Sequence, residues 1–152
     1  MARVLVIEDG TEYVDAYQRF LAGGELAFER AGSGVQALAR LADGSPVDAI
    51  VLDMRFDRAP EGELLGDIDE VAERFNGDLV QARQFVEDHQ GTYILAAIRA
   101  AGCVTPVLLS YDFTTEPRRW ERLAARYAPV AFVADEAGPA EVGEALRGWV
   151  RG

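Results

Sequence analysis

Three carboxylates stand at the ends of two apolar runs: Glu8 and Asp9 after Val4-Leu5-Val6-Ile7, and Asp53 after Ile50-Val51-Leu52. The chain that carries them has no lysine; all fifteen of its basic residues are arginine. An apolar run that stops at an acid is how a buried parallel strand delivers a polar group to the carboxyl edge of a sheet. Ligands of open α/β sheets bind at that edge. Acids gathered there suit a divalent cation, and one of them can attack a phosphoryl group. Without a cation, like charges must instead raise the pKa of one member or recruit an arginine from elsewhere, the nearest in sequence being Arg55 and Arg58.

The elements around these acids alternate in kind. Residues 11–22 place Val14, Tyr17, Phe20 and Leu21 on one helical stripe, closed by Gly23-Gly24. Residues 25–29 alternate as a half-buried edge strand with Leu26 and Phe28 on one face, and Ser33 with Gln36 forms a capping box ahead of Val35, Leu38 and Leu41. Residues 48–53, 106–110 and 130–134 are too apolar for exposed antiparallel strands. Between and after the last two, Trp120, Leu123, Ala124 and Tyr127 mark one helix, and Pro139 opens another with Val142, Ala145, Leu146 and Trp149. Five strands alternating with helices predict an α/β doubly wound parallel sheet with right-handed crossovers.

One connection is too long. From Asp53 to the helix near residue 92 the chain spends roughly forty residues, where such loops take about 2 to 6. The excess is an insertion of approximately residues 55–90. Residues 54–66 are rich in Gly, Pro and charge. Ile68, Val71, Ala72 and Phe75 then repeat at helical spacing before Asn76-Gly77, and Leu79, Ala82, Val86, His89, Tyr93 and Ala97 form a stripe that runs into the next helix. A helical hairpin or one elongated helix is expected, either making an interface or covering the acidic pocket, because so many apolar residues need a surface to bury.

With 152 residues, 49% of them hydrophobic, the chain is expected to form one domain over 1–152. No apolar run nears the ~18 residues of a membrane span and no secretory leader is visible, which predicts a cytoplasmic protein without membrane contact. The net charge of −11 argues against a nucleic-acid partner and for a protein one. Cys103 is single, so it is expected as a small core residue, and His89 as a helix-surface one.

With Glu8-Asp9 after the first strand, Asp53 after the third, Ser110 ending the fourth and Phe132 within the fifth, the chain resembles the receiver domain of bacterial two-component response regulators. The resemblance spans residues 3–151, interrupted by the insertion. It implies a flavodoxin-like sheet of order 2-1-3-4-5 with a helical insertion after strand 3. It further implies Mg²⁺ held by Glu8, Asp9, Asp53 and the backbone carbonyl of Arg55, in one solvent-reached cleft. Asp53 matches the phosphoacceptor, supplied by a histidine kinase, a phosphotransfer protein or a small phosphodonor. Ser110 matches the hydroxyl that holds the product, and Phe132 the switch aromatic, here without a hydroxyl. The family's lysine falls at Asp135, a departure that no realignment repairs.

The expected function is an atypical, non-enzymatic receiver in a phosphorelay, signalling through contacts with a downstream protein or a second copy of itself. Arg118, Arg122 and Arg126, repeating every four residues, mark the first candidate surface. The alternative is a phosphorylation-independent pseudo-receiver scaffold. A third reading, an aspartate-nucleophile phosphatase of the haloacid-dehalogenase kind, lacks its second acid in Asp53-Met54-Arg55.

Overall fold

The computed structural model describes residues 1–21, 24–60 and 62–151. Five strands, β1 (Ala2–Ile7), β2 (Leu26–Ala31), β3 (Ala49–Asp53), β4 (Val107–Ser110) and β5 (Val130–Val133), form one sheet of order β2-β1-β3-β4-β5. Every neighbouring pair is parallel. The expected strands and their order are therefore present. The helices are α1 (Glu12–Phe20), α2 (Gly34–Ala42), α3 (Ile68–Glu73), α4 (Leu79–Asp88), α5 (Gln90–Ala100), α6 (Pro117–Tyr127) and α7 (Pro139–Arg151).

Strand alternation divides the core into two layers. Val4, Val6, Val51 and Leu108 face Val14 and Tyr17 of α1 and Val142 and Leu146 of α7. Leu5, Ile7, Ile50, Leu52 and Leu109 face the other way, onto Ile94, Leu95 and Ile98 of α5. Both faces are covered, which is why these strands read as unbroken apolar runs. Half of the expected capping box forms: Ser33 Oγ accepts from the Gln36 amide at 3.1 Å, whereas Gln36 Oε1 accepts from the Gly32 amide, one residue before the N-cap, at 2.9 Å.

Some apolar positions lie outside the core. Phe20 ends α1 at 65% exposure with the Arg19 guanidinium over its ring, and Val35 faces solvent on α2. In an amphipathic helix of nine residues the buried arc is narrow, and these two fall beyond its edge. Of the expected Gly23-Gly24 stop, Gly23 lies outside the described residues; α1 closes before it, at Phe20. Cys103 is only partly buried, its thiol directed at Thr105 Oγ1.

The insertion is helical. The α3–α4 hairpin turns through Asn76 and Gly77, both at positive φ, and closes a small core of Val71, Ala72, Ala82 and Val86. Leu79 and Val80 remain exposed at the start of α4. The stripe expected to continue unbroken from α4 into α5 is interrupted at His89, with φ −112° and ψ 13°. His89, half-buried, stands at the break: its Nδ1 meets the Phe85 carbonyl at 2.8 Å and its ring stacks on Phe85. The break lets the chain approach β3 closely. The Gly91 amide donates to the Met54 carbonyl at 2.9 Å, and a Cβ on Gly91 would stand 2.6 Å from the Asp53 carbonyl oxygen. Buried Gln90 beside it accepts from the Leu65 amide and donates to the Leu65 carbonyl, tying the insertion's first loop to the same point.

Candidate functional site

The sheet brings the sequence-selected acids to one edge. Ile7 pairs with Leu52 across β1 and β3, so Glu8-Asp9 and Asp53 leave adjacent strands at the same level. Asp53 pairs with Ser110 across β3 and β4. The four groups then differ sharply in what already engages them.

Glu8 is 1% exposed, and its two carboxylate oxygens accept from the Tyr13 amide at 3.0 Å and the Val14 amide at 2.7 Å. It thus caps α1, whose N-cap residue Thr11 makes no side-chain bond of that kind. Burial pushes its pKa up, against the lowering effect of those two amides. Lone pairs remain, since a carboxylate offers about four acceptor positions.

Asp9 is engaged by the insertion. Its Oδ2 accepts from the Arg58 amide at 2.7 Å, and the Arg58 guanidinium lies 3.7 Å from its Oδ1. The same guanidinium grips Glu12 at 2.9 and 3.2 Å, and that hydrogen bond holds the Glu12 carboxyl down to about 2. Arg30 donates to the backbone carbonyls of Asp9 and Gly10, fixing the loop from the other side. Of the two arginines at the root of the insertion, Arg58 folds back and Arg55 does not. Arg55 points outward to Asp88 at 3.2 Å.

Asp53 accepts from the amide of Met54 at 2.8 Å. Its pKa is pushed up to about 7, first by burial and then, against that amide, by the charges of Asp9, Glu8 and Asp135. Arg58 is engaged with Asp9 and Glu12 instead of Asp53. Asp135, where the resemblance expects a lysine, is exposed and adds negative charge instead.

Tyr13 was not selected from the sequence. Its phenol donates to the Asp135 carbonyl at 3.3 Å. Its pKa is raised, mainly by burial, with the nearby Ser110 hydroxyl opposing this and the Asp53, Asp135 and Glu8 charges adding to it. The phenol therefore lies close to Ser110 and these acids. Its position in the first turn of the helix after the acid pair was the available signal, obscured because the helical stripe through Val14 and Tyr17 omits it.

Phe132 is half-buried in an aromatic group, its centroid 4.8 Å from Trp120 and 5.3 Å from Phe113. Ser110 is 3% exposed. The Asp9 side chain is likewise at 3%, whereas Asp53 is half-buried and Asp135 exposed, so the site still reaches solvent on the Asp53 side. Among the described residues, no three acids, histidines or cysteines are grouped to hold a metal as they stand. The donor chemistry nevertheless fits a hard divalent cation: the oxygens are all carboxylate or carbonyl, and burial together with like charge has raised the Asp53 pKa, a cost such an ion would relieve.

A second concavity lies away from this edge. Between α5 and α6 a groove of about 610 Å³ is edged by Arg119, Arg122 and Arg126 and by Tyr93 and Tyr127, with no acid in its lining. Arg118, grouped with these in the sequence, is exposed outside the groove. Arg119 is pinned inward, at 3.2 Å from Glu116 and over the Tyr111 and Phe113 rings, whereas Arg126 lies over Tyr127.

No family profile matches the sequence, and no curated protein is similar to it at the sequence level. Solved structures are similar in shape. The receiver domain of the Francisella response regulator 1452 matches with a TM-score of 0.66 and 15% identity, over 99% of this chain and 98% of that one. The Vibrio cholerae chemotaxis protein CheY4 gives 0.64 and 18%, over 98% of each chain. The signal receiver domain of a Luxo repressor protein from Vibrio parahaemolyticus gives 0.62 and 12%, over 99% and 90%.

Proposed function

We propose that this chain, which has the CheY-like fold of response regulator receiver domains, works as an atypical receiver that accepts a phosphoryl group on Asp53. The observation that carries this reading is the register pair Asp53–Ser110, which sets a carboxylate of pKa about 7 beside a buried hydroxyl, next to Glu8 and Asp9. A carboxylate oxygen of Asp53 attacks phosphorus, forming an acyl phosphate as the P–N bond of a phosphohistidine, or the P–O bond of a small acyl phosphate, breaks. The departing group keeps the bonding electrons. Ser110 would donate to a phosphoryl oxygen, with the Tyr13 phenol beside it. Glu8, Asp9, Asp53 and the Arg55 carbonyl are the residues to hold Mg²⁺, which when bound offsets the crowded negative charge.

Output runs through protein contact, with the α5–α6 groove as the surface for an acidic segment of a downstream protein or of a second copy. The phosphorelay source would be a histidine kinase or phosphotransfer protein, in the cytoplasm. Among the described residues no helix is long and apolar enough to cross a membrane.

The scaffold reading draws on a specific feature, the Arg58 clamp on Asp9 in a pocket without lysine. Intact mass after treatment with a small phosphodonor separates the two. A gain of about 80 Da, one phosphoryl group, that disappears in Asp53→Asn supports the receiver; an unchanged wild-type mass supports the scaffold. Arg55, turned to Asp88, offers nothing to the phosphatase reading.

A further inference from the structure

We infer that Arg58 is a resident cation that competes with a divalent ion for Asp9, so that ion binding requires the root of the insertion to let go. This rests on the metal reading above and adds to it a gate supplied by the insertion.

The geometry is that of a built clamp. Arg58 reaches Asp9 twice, by its amide at 2.7 Å and its guanidinium at 3.7 Å, and it is steadied by two bonds to Glu12. The guanidinium occupies space that only a glycine leaves open: a Cβ on Gly10 would fall 2.3 Å from the Arg58 terminal nitrogen and 2.0 Å from a Glu12 oxygen. A divalent ion on Asp9 would meet this positive charge at close range, and the repulsion between the two cations disfavours their holding the carboxylate together. The guanidinium is the one free to leave, at 57% side-chain exposure against 3% for Asp9.

The insertion limits how far the release can spread. On one side, buried Phe56 is fastened by its amide to the Glu87 carbonyl at 2.9 Å. On the other, Glu63 accepts from the Ser33 hydroxyl and from Gln36. Release is therefore confined between these anchors, and the α3–α4 hairpin stays docked. The clamp makes ion occupancy visible on the outer surface next to α1.

The test is Mg²⁺ titration by calorimetry on the full chain, comparing wild type with Arg58→Gln, Gly10→Ala and Asp53→Asn, each checked for a single cooperative melting transition. Arg58→Gln removes the guanidinium and keeps the amide; Gly10→Ala keeps the charge and crowds it out of place. Both should bind Mg²⁺ about 1.5- to fivefold more tightly than wild type, the range for losing a partly exposed ion pair that competes with the ligand. Hydrogen exchange adds a readout independent of affinity: in wild type the Arg58 amide should exchange faster once Mg²⁺ is bound, because Asp9 Oδ2 no longer accepts it. Equal or weaker affinity in both variants, with binding still lost in Asp53→Asn, overturns the gate and leaves the metal site standing. No Mg²⁺ uptake by any variant overturns the metal site and the gate together.

Discussion

Asp53 and Ser110 are the last register pair of the β3–β4 ladder, so their side chains leave the same face one strand spacing apart. A hydroxyl in that place adds one hydrogen bond to a charged phosphoryl group, about 1.5 to 3 kcal/mol. Ser110→Ala should still take up phosphoryl from a small donor. Its acyl phosphate should decay about ten- to a hundredfold faster, as followed by intact mass against time. An unchanged lifetime would remove Ser110 from the site.

The raised Asp53 pKa fixes the sign of a pH effect. Between the ordinary 3.8 and the folded value of about 7, the native state holds a proton that the unfolded chain has released. Stability from this group is thus lost as pH rises through that window, and Glu8, shifted the same way, adds to the loss. In metal-free buffer Asp53→Asn should be more stable than wild type at pH 8, on the order of 1 to 3 kcal/mol, with the gap closing toward pH 4. Urea unfolding at the two pH values measures it. A gap that does not change with pH would contradict the raised Asp53 pKa.

Gln90 is the side chain on which the docking of the insertion turns. Replaced by Ala, it leaves the Leu65 amide and carbonyl without their partner, at about 1 to 3 kcal/mol for each buried group left unpaired. Gln90→Ala should melt at a lower temperature and exchange the Leu65 amide quickly, while strand amides in β1 and β3 stay protected. Loss of protection throughout the sheet would mean the insertion is not a separable layer.

The α5–α6 groove should be an association surface for acidic segments. Arg122→Glu with Arg126→Glu reverses two charges on its rim and should abolish self-association or partner capture seen by analytical ultracentrifugation, with the fold intact. Unaltered association would move the surface to the exposed start of α4, where Leu79 and Val80 stand in solvent.

The strands and their order were legible because buried parallel strands leave an unmistakable trace, apolar runs such as Val4 to Ile7 ending in an acid. The insertion was legible as helix from its periodicity. Its break at His89 was not, because the cause is a tertiary approach of Gly91 to the chain beyond Asp53, while the helical stripe passes through His89 undisturbed. At the site, residue types were legible and their engagements were not. Glu8 could be selected as an acid at a strand end, yet that it caps α1 depends on a turn five residues long. Arg58 folding back and Arg55 turning out depend on which acid each reaches, Asp9 and Glu12 for one and Asp88 for the other.

The bond from the Gly91 amide to the Met54 carbonyl places the entrance and the exit of the insertion side by side. A segment whose two ends already touch can be lengthened, shortened or exchanged without moving the strands that flank it, because the cost of closing a loop grows only slowly with its length. The insertion is in this sense a cassette. It gives this chain a way to present new surfaces beside Asp53 while the sheet stays as it is.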